Sequence, residues 1–275
     1  MNYITDKPIE RVDQDCLGRA SFSKQLGESL YQYSERDGLV IGLYGKWGTG
    51  KTSVINMALT ELETLSTDSL NKPVIVRFSP WNYSDKNNLI GLFFHCLISK
   101  IDSLKDNSEL KMTVGKALSD YAGALDALAL IPLVGPGVAA ILKALAQGVG
   151  ENLLQEADLD KTKTKLEEAL ASINNKIIVV IDDIDRLTNS QIRDIFQLVK
   201  QVADFPNVIY ILSMDRDVVR SALSEVHKID GDEYLEKIIQ VPFELPDIHK
   251  DKIKGIFFDK LNHIISELPG NVRLV

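Results

Sequence analysis

The 275-residue chain is 45% hydrophobic and 25% charged, near the averages of a globular protein, which excludes a disordered chain, a collagen-like fibre and a polytopic membrane protein. Its 31 Lys and Arg against 39 Asp and Glu leave a net charge of −8, so recognition of nucleic acid through a generally basic surface is not expected. Cys16 and Cys96 are too few and too far apart for a disulfide framework or a thiolate zinc site, and point to a reducing compartment. The polar start, MNYITDKPIERVDQDC, has no apolar stretch of the secretory type, so a cytoplasmic address is the default expectation.

In chain order, residues 39–44 (LVIGLY) form a short apolar run that stops at a glycine cluster, as suits a strand buried on both faces. After GKWGTGKTS, the positions Ile55, Ala58, Leu59, Leu62 and Leu65 fall at helical spacing. A β-rich run at 73–81 is closed by Pro80, and a Lys- and Glu-rich helix is expected over about 156–173. Two more β-branched runs, IIVVID at 177–182 and NVIYILSM at 207–214, flank a helix carrying Ile192, Ile195, Phe196, Val199 and Val202 on one face. A helix near 216–226, a turn at Gly231, a short strand IIQVPF and a helix over about 249–267 complete the reading. Strands alternating with helices in this way predict an α/β fold: three layers, with a mostly parallel central sheet covered on both sides.

One segment departs from the pattern. Ala127 to Leu142 contains no polar side chain, yet its 16 residues fall short of the about 20 that cross a bilayer as one helix. Pro132, Gly135, Pro136 and Gly137 interrupt it, so two short apolar helices joined by a turn are expected. A buried helix pair, an oligomer contact and a hairpin inserted in a membrane are its alternative readings.

Gly45-Lys46-Trp47-Gly48-Thr49-Gly50-Lys51-Thr52 matches G-x-x-x-x-G-K-[ST], between a predicted strand and a predicted helix. Glycines let backbone N–H groups curl around a polyphosphate, and the following helix turns its positive end to the same anion. Lys51 is expected to reach the β- and γ-phosphates, and the Thr52 hydroxyl to ligate Mg2+. The expected nucleotide contacts are Gly45, Trp47, Gly48, Thr49, Gly50, Lys51, Thr52 and Ser53. The glycine spacing is not that of a dinucleotide fingerprint.

IIVVIDDIDRL ends a buried strand in Asp182, Asp183 and Asp185. Asp182, first after the apolar run, is the expected partner of the Mg2+ shell, and Asp183 the residue that orients or deprotonates an attacking water. A plain strand end whose acids cap the next turn is the alternative. Lys51 and Asp182 stand 131 positions apart, with the apolar segment between them, which suggests an insertion between two halves of a nucleotide domain. The expected boundaries are 1–102 for the first half, 103–172 for a helical, partly apolar insertion, and 173–275 for the second half.

GLYGKWGTGKTS, FSPWNYS at 78–84, VVIDDIDRL, and YLEKIIQVPFELP at 234–246, in that order, resemble the KAP family of P-loop NTPases. The family belongs to the additional-strand class, related to STAND and AAA+ proteins. It includes plasmid-encoded phage-exclusion proteins, and many members carry apolar insertions where 127–142 falls. The resemblance implies phosphate and magnesium roles for Lys51 and Thr52, an acidic pair in Asp182 and Asp183, and a γ-phosphate sensor at Ser213 or Asp215. It also implies that Leu17-Gly18-Arg19 packs beside adenine. Trp81 reads as a packing residue, and Arg186 as a member of an internal ion pair or a contact to a neighbouring nucleotide. The helical region that follows the VPF strand in the family is short here.

Hydrolysis of Mg-ATP to ADP and phosphate is thus the leading expectation, with ATP preferred because no N-K-x-D guanine motif occurs; Asn71-Lys72 is followed by Pro73-Val74. The output would be a conformational or assembly switch in a homo-oligomer or with a protein partner. The alternatives are a nucleotide-bound interaction module with little turnover, and a scaffold peripheral to the inner face of a membrane.

Overall fold

The computed structural model describes residues 7–67, 72–83, 89–103, 111–129, 151–202, 204–227, 230–246, 248 and 250–267. Among the described residues, five segments form one sheet: β1 (Leu39–Tyr44), β2 (Val74–Phe78), β3 (Ile177–Ile181), β4 (Val208–Met214) and β5 (Val241–Glu244). Their order is β2-β3-β4-β1-β5, and every pairing is parallel. β3 and β4 are buried along their whole length, which is why they read as unbroken apolar runs rather than alternating ones.

Helices cover both faces. On one lie α1 (Ala20–Gln32) and α2 (Lys51–Leu65), whose Leu26, Leu30, Val54, Ala58 and Leu62 pack on Ile41, Leu43, Ile178, Val180, Ile209 and Ile211. On the other lie α3 (Leu89–Asp102), α4 (Lys116–Ala129), α5 (Glu151–Ser172), α6 (Asn189–Gln197), α7 (Arg216–His227) and α8 (Gly231–Glu236). Leu118 and Tyr121 of α4 and Leu166 and Leu170 of α5 share this second core with Phe93, Phe94 and Phe205. The result is a three-layer α/β fold around a parallel sheet.

The predicted strands and the long helices match the observed ones, with three differences. Gly231 opens α8 instead of a turn; the Asp230 carboxylate accepts the Asp232 N–H at 3.0 Å and starts the helix there. The last strand is confined to Val241–Glu244, because Ile238 and Ile239 lie in the turn after α8, where both N–H groups donate to Leu235 O and both side chains pack inward. α1 and α3 were not read from the sequence. Of the apolar stretch, Ala127 to Ala129 end α4, and 130–142 lie outside the described residues. Among the described residues no helix is long and apolar enough to cross a membrane.

The N-terminal segment is stitched to α2. Ile9 N–H donates to Ser53 Oγ at 3.2 Å, Asn56 Nδ2 to Ile9 O at 3.1 Å, and Thr60 Oγ1 to Glu10 O at 3.1 Å. Asp15 then opens α1: its carboxylate accepts the N–H groups of Leu17 (2.9 Å), Gly18 (3.0 Å) and Ala20 (2.8 Å). Asp15→Ala frees three donors at once and is expected to cost about 1–2 kcal/mol of stability, read by urea denaturation. At the other end α9 (Lys250–Glu267) leaves the sheet with Ile253, Phe257, Phe258 and Ile264 exposed.

Candidate nucleotide site

The sheet order fixes where chemistry can gather. β4 lies between β1 and β3, so the carboxyl ends of three adjacent strands carry Gly45, Met214 and Asp182 side by side; this is the crevice where parallel α/β sheets take ligands. Gly45 N–H donates to Met214 O at 3.1 Å, and Asp182 N–H to Phe78 O at 3.3 Å, extending the ladders past the strand ends. The 131-residue separation of Lys51 and Asp182 is closed by this topology.

The loop 45–50 turns tightly into α2. Gly48 (φ 78°) and Gly50 (φ 89°) are in the left-handed region, where a Cβ is strained. A Cβ at Gly45 would meet Thr49 Oγ1 at 2.7 Å, so that position is restricted by space. Thr49 closes the turn on itself, its N–H and its hydroxyl both donating to Lys46 O at 3.2 and 2.7 Å. Lys51, the first residue of α2, is nearly buried and folds back into the loop, donating to Gly45 O at 2.8 Å and Lys46 O at 3.3 Å. Trp47 stands at the tip with 76% of its surface exposed, so only its backbone belongs to the loop interior. The Ser53 hydroxyl is engaged with the N-terminal segment through the Ile9 N–H, leaving its own O–H to donate elsewhere.

Asp182 continues the alternation of Ile178 and Val180 and therefore faces α2. Thr52 Oγ1 donates to its Oδ2 at 2.7 Å, and Asp183 N–H to its Oδ1 at 2.9 Å. The hydroxyl and carboxylate so joined are hard oxygen donors, which suit Mg2+ when phosphate oxygens and water complete the shell. Asp183 sits at φ 60°, ψ 33°, an unusual backbone for a non-glycine residue, and its Oδ1 accepts from Arg186 Nε at 2.9 Å. Burial pushes the Asp183 carboxyl up from its ordinary value, the Asp182 charge adds to this, and the Arg186 guanidinium opposes it. Arg186 thus forms the internal ion pair, one of its two readings from sequence.

Ser213 follows Ile209 and Ile211 toward the α2 face and is completely buried, its hydroxyl without a hydrogen-bond partner. Asp215 accepts the Asp217 N–H at 3.1 Å and so caps α7. Trp81 lies in the short turn Pro80–Asn82. Arg19 is buried beside Gly18, with Asp15 organising the segment. Asp185 is the third acid of the run, and the motif assigns it no role. It is almost buried, with its carboxylate 4.0 Å from Lys51 Nζ. The signal was its i, i+3 offset from Asp182, which on the tight turn Ile184–Arg186 brings it back toward the loop.

On the side of β1 away from α2, Arg216 lies 5.6 Å from the Tyr44 ring centroid and pairs with Asp232 at 3.1 Å and Glu244 at 3.8 Å. These residues line a hollow of about 430 Å3 that also touches Gly45 and Lys46. The sequence reading missed this network, because its members come from four separate elements.

The KAP family P-loop domain matches residues 19–271. The chain is 30% identical over 264 residues to the phage T7 exclusion protein of Escherichia coli (strain K12), an alignment covering 88% of this chain and 34% of the relative. It thus spans about a third of that protein's length. Among solved structures it is similar to the Aeropyrum pernix ORC2 protein in its ADPNP–ADP complexes (TM-score 0.44, 13% identity, 95% of this chain and 54% of that one). The Aeropyrum pernix ORC1 protein in complex with DNA is similar to the same extent (TM-score 0.44, 13% identity, 90% and 50%). With its phosphate loop, acidic strand end and five-stranded sheet in the places described, the chain belongs to the KAP family of P-loop NTPases.

Proposed function

We propose that this chain binds Mg-ATP and hydrolyses it to ADP and phosphate. The observation that carries the reading is the 2.7 Å hydrogen bond from Thr52 to Asp182, which joins the phosphate loop to the acidic strand end as a magnesium-dependent site requires. The nucleotide contacts are the backbone of Gly45, Trp47, Gly48, Thr49 and Gly50, with the side chains of Lys51, Thr52 and Ser53. Thr52 and Asp182 would hold the Mg2+, which when bound would neutralise negative charge on the triphosphate. Water attacks the γ-phosphorus, the bond from that phosphorus to the bridging oxygen of ADP breaks, and Asp183 accepts the proton of the attacking water. The orphaned Ser213 hydroxyl supports a role as γ-phosphate sensor, because a buried O–H without a partner is costly unless a ligand engages it.

A second reading, a nucleotide-bound interaction module with little turnover, is favoured by one feature: Asp183 is occupied by Arg186 rather than free for water. A homo-oligomer or a protein partner that releases Asp183 would reconcile the two readings. The output is a conformational or assembly switch in the cytoplasm, and the relative's name extends the proposal to phage exclusion. Phosphate release separates the readings. Asp183→Asn keeps the shape and is expected to lower turnover about 100-fold or more with nucleotide affinity nearly unchanged. Equal rates in both proteins would remove Asp183 as the base, and no release by wild type across a range of protein concentrations would favour the module.

A further inference from the structure

Asp185 is the third carboxylate of the strand end and has no part in the steps above. Its side chain is 7% exposed and that of Lys51 9%, with the charged groups 4.0 Å apart. The hydrogen bonds of Lys51 go to Gly45 O and Lys46 O, so Asp185 acts on the ammonium through charge at a distance rather than through a short bond. In a site so shielded from water and salt, such an interaction is weakly screened. The strand end therefore presents Asp182, Asp183 and Asp185 beside a loop whose lysine is already partly neutralised. A bare triphosphate adds several negative charges to this set.

We infer that Asp185 is a specificity-determining residue: it offsets part of the Lys51 charge, so the pocket rejects metal-free nucleotide and admits the magnesium complex. This rests on the nucleotide-site reading above. The direction follows from simple electrostatics: removing the Asp185 charge removes its repulsion of any anion in the pocket and leaves the attraction of Lys51 unopposed by it. This effect grows with the net negative charge of the ligand, which is larger for free ATP than for Mg-ATP.

The test is equilibrium binding of ATP to the full chain by calorimetry, in excess EDTA and in excess Mg2+, for wild type and Asp185→Asn. The variant is expected to gain about tenfold or more in affinity for ATP in EDTA, and less than about threefold for Mg-ATP. The preference for the magnesium complex then narrows. An unchanged ratio of the two affinities overturns the inference, including the case where both fall together through a structural disturbance. Thermal unfolding without nucleotide checks that the variant is folded; where Asn disturbs folding, Asp185→Ser repeats the comparison with a smaller neutral side chain. Wild type that binds neither form of ATP would overturn the nucleotide-site reading itself, whereas wild type that binds Mg-ATP with an unaltered ratio in the variant overturns the role of Asp185 alone.

Discussion

Lys51→Ala is expected to weaken Mg-ATP binding by about 100-fold or more and to abolish measurable turnover, as read by calorimetry and phosphate release. Two losses combine. The ammonium at the start of α2 is the cation the loop encloses, donating to Gly45 O and Lys46 O from inside the turn. Its removal also leaves the nearly buried Asp185 carboxylate without the cation it faces at 4.0 Å, which adds repulsion to lost attraction. The substitution leaves the φ values of Gly48 and Gly50 untouched, so the fold is expected to survive and circular dichroism to match wild type. Binding within about threefold of wild type would show that the loop does not hold the triphosphate through this lysine.

The second large effect falls far from the loop. Asn207→Ala is expected to destabilise the protein by about 3 kcal/mol, measured by denaturant unfolding in the absence of nucleotide. Asn207 is buried at φ 60°, and its Nδ2 donates to Leu170 O at 2.7 Å and Ile173 O at 3.0 Å, tying the end of α5 to the start of β4. Its Oδ1 accepts from Lys176 Nζ at 3.1 Å. Its backbone N–H donates to Arg36 O at 2.7 Å, and its carbonyl accepts the Ile177 N–H at 2.9 Å. Alanine would leave two carbonyls without the Asn207 donor, at about 1 kcal/mol each, and lacks the polar side chain that lets asparagine tolerate the left-handed region, at about 1 kcal/mol more. Glycine relieves only the last part, so Asn207→Gly is expected to recover about 1 kcal/mol relative to alanine. Equal stability of the alanine variant and wild type would refute the staple.

Much of this architecture was legible because the sheet is buried on both faces. Runs such as IIVVI and VIYILSM have no polar alternation to confuse them with surface elements, and the glycine loop and the acids mark where two of them end. α1 escaped notice because its sequence, ASFSKQLGESLYQ, has a buried Ser23 and Gly27 on the face that packs, so its apolar stripe is thin. α3 does carry Leu89, Phe93, Phe94, Leu97 and Ile101 at helical spacing, but Ile90, Leu92 and Ile98 beside that stripe blur its edges. Lys51, Thr52 and Asp182 could be assigned expected roles from motif and spacing alone. The partners Asp183–Arg186 and Lys51–Asp185 could not be separated by sequence, because DDIDR offers each cation three carboxylates and only the backbone turn at Asp183 decides which one it meets. The Arg216 network was invisible for a related reason: Tyr44, Asp232 and Glu244 come together only once β1, β5 and α8 are assembled.

The position of β1 within the sheet constrains how the chain can be made. Leu39 pairs with Ile209 and Ile41 with Val241, so the strand synthesised first waits for about 170 residues, and then about 30 more, before its two neighbours exist. At ribosomal speeds of about 5–20 residues per second, that leaves LVIGLY unpaired for roughly 10 to 40 seconds. During that interval α1 and α2 are the segments already available to shield its Ile41 and Leu43. The packed pair α1 and α2, which flank β1 in the chain, would then act as a resident chaperone for the nascent strand, and weakening their contact should lower the yield of soluble protein more than the stability of what does fold.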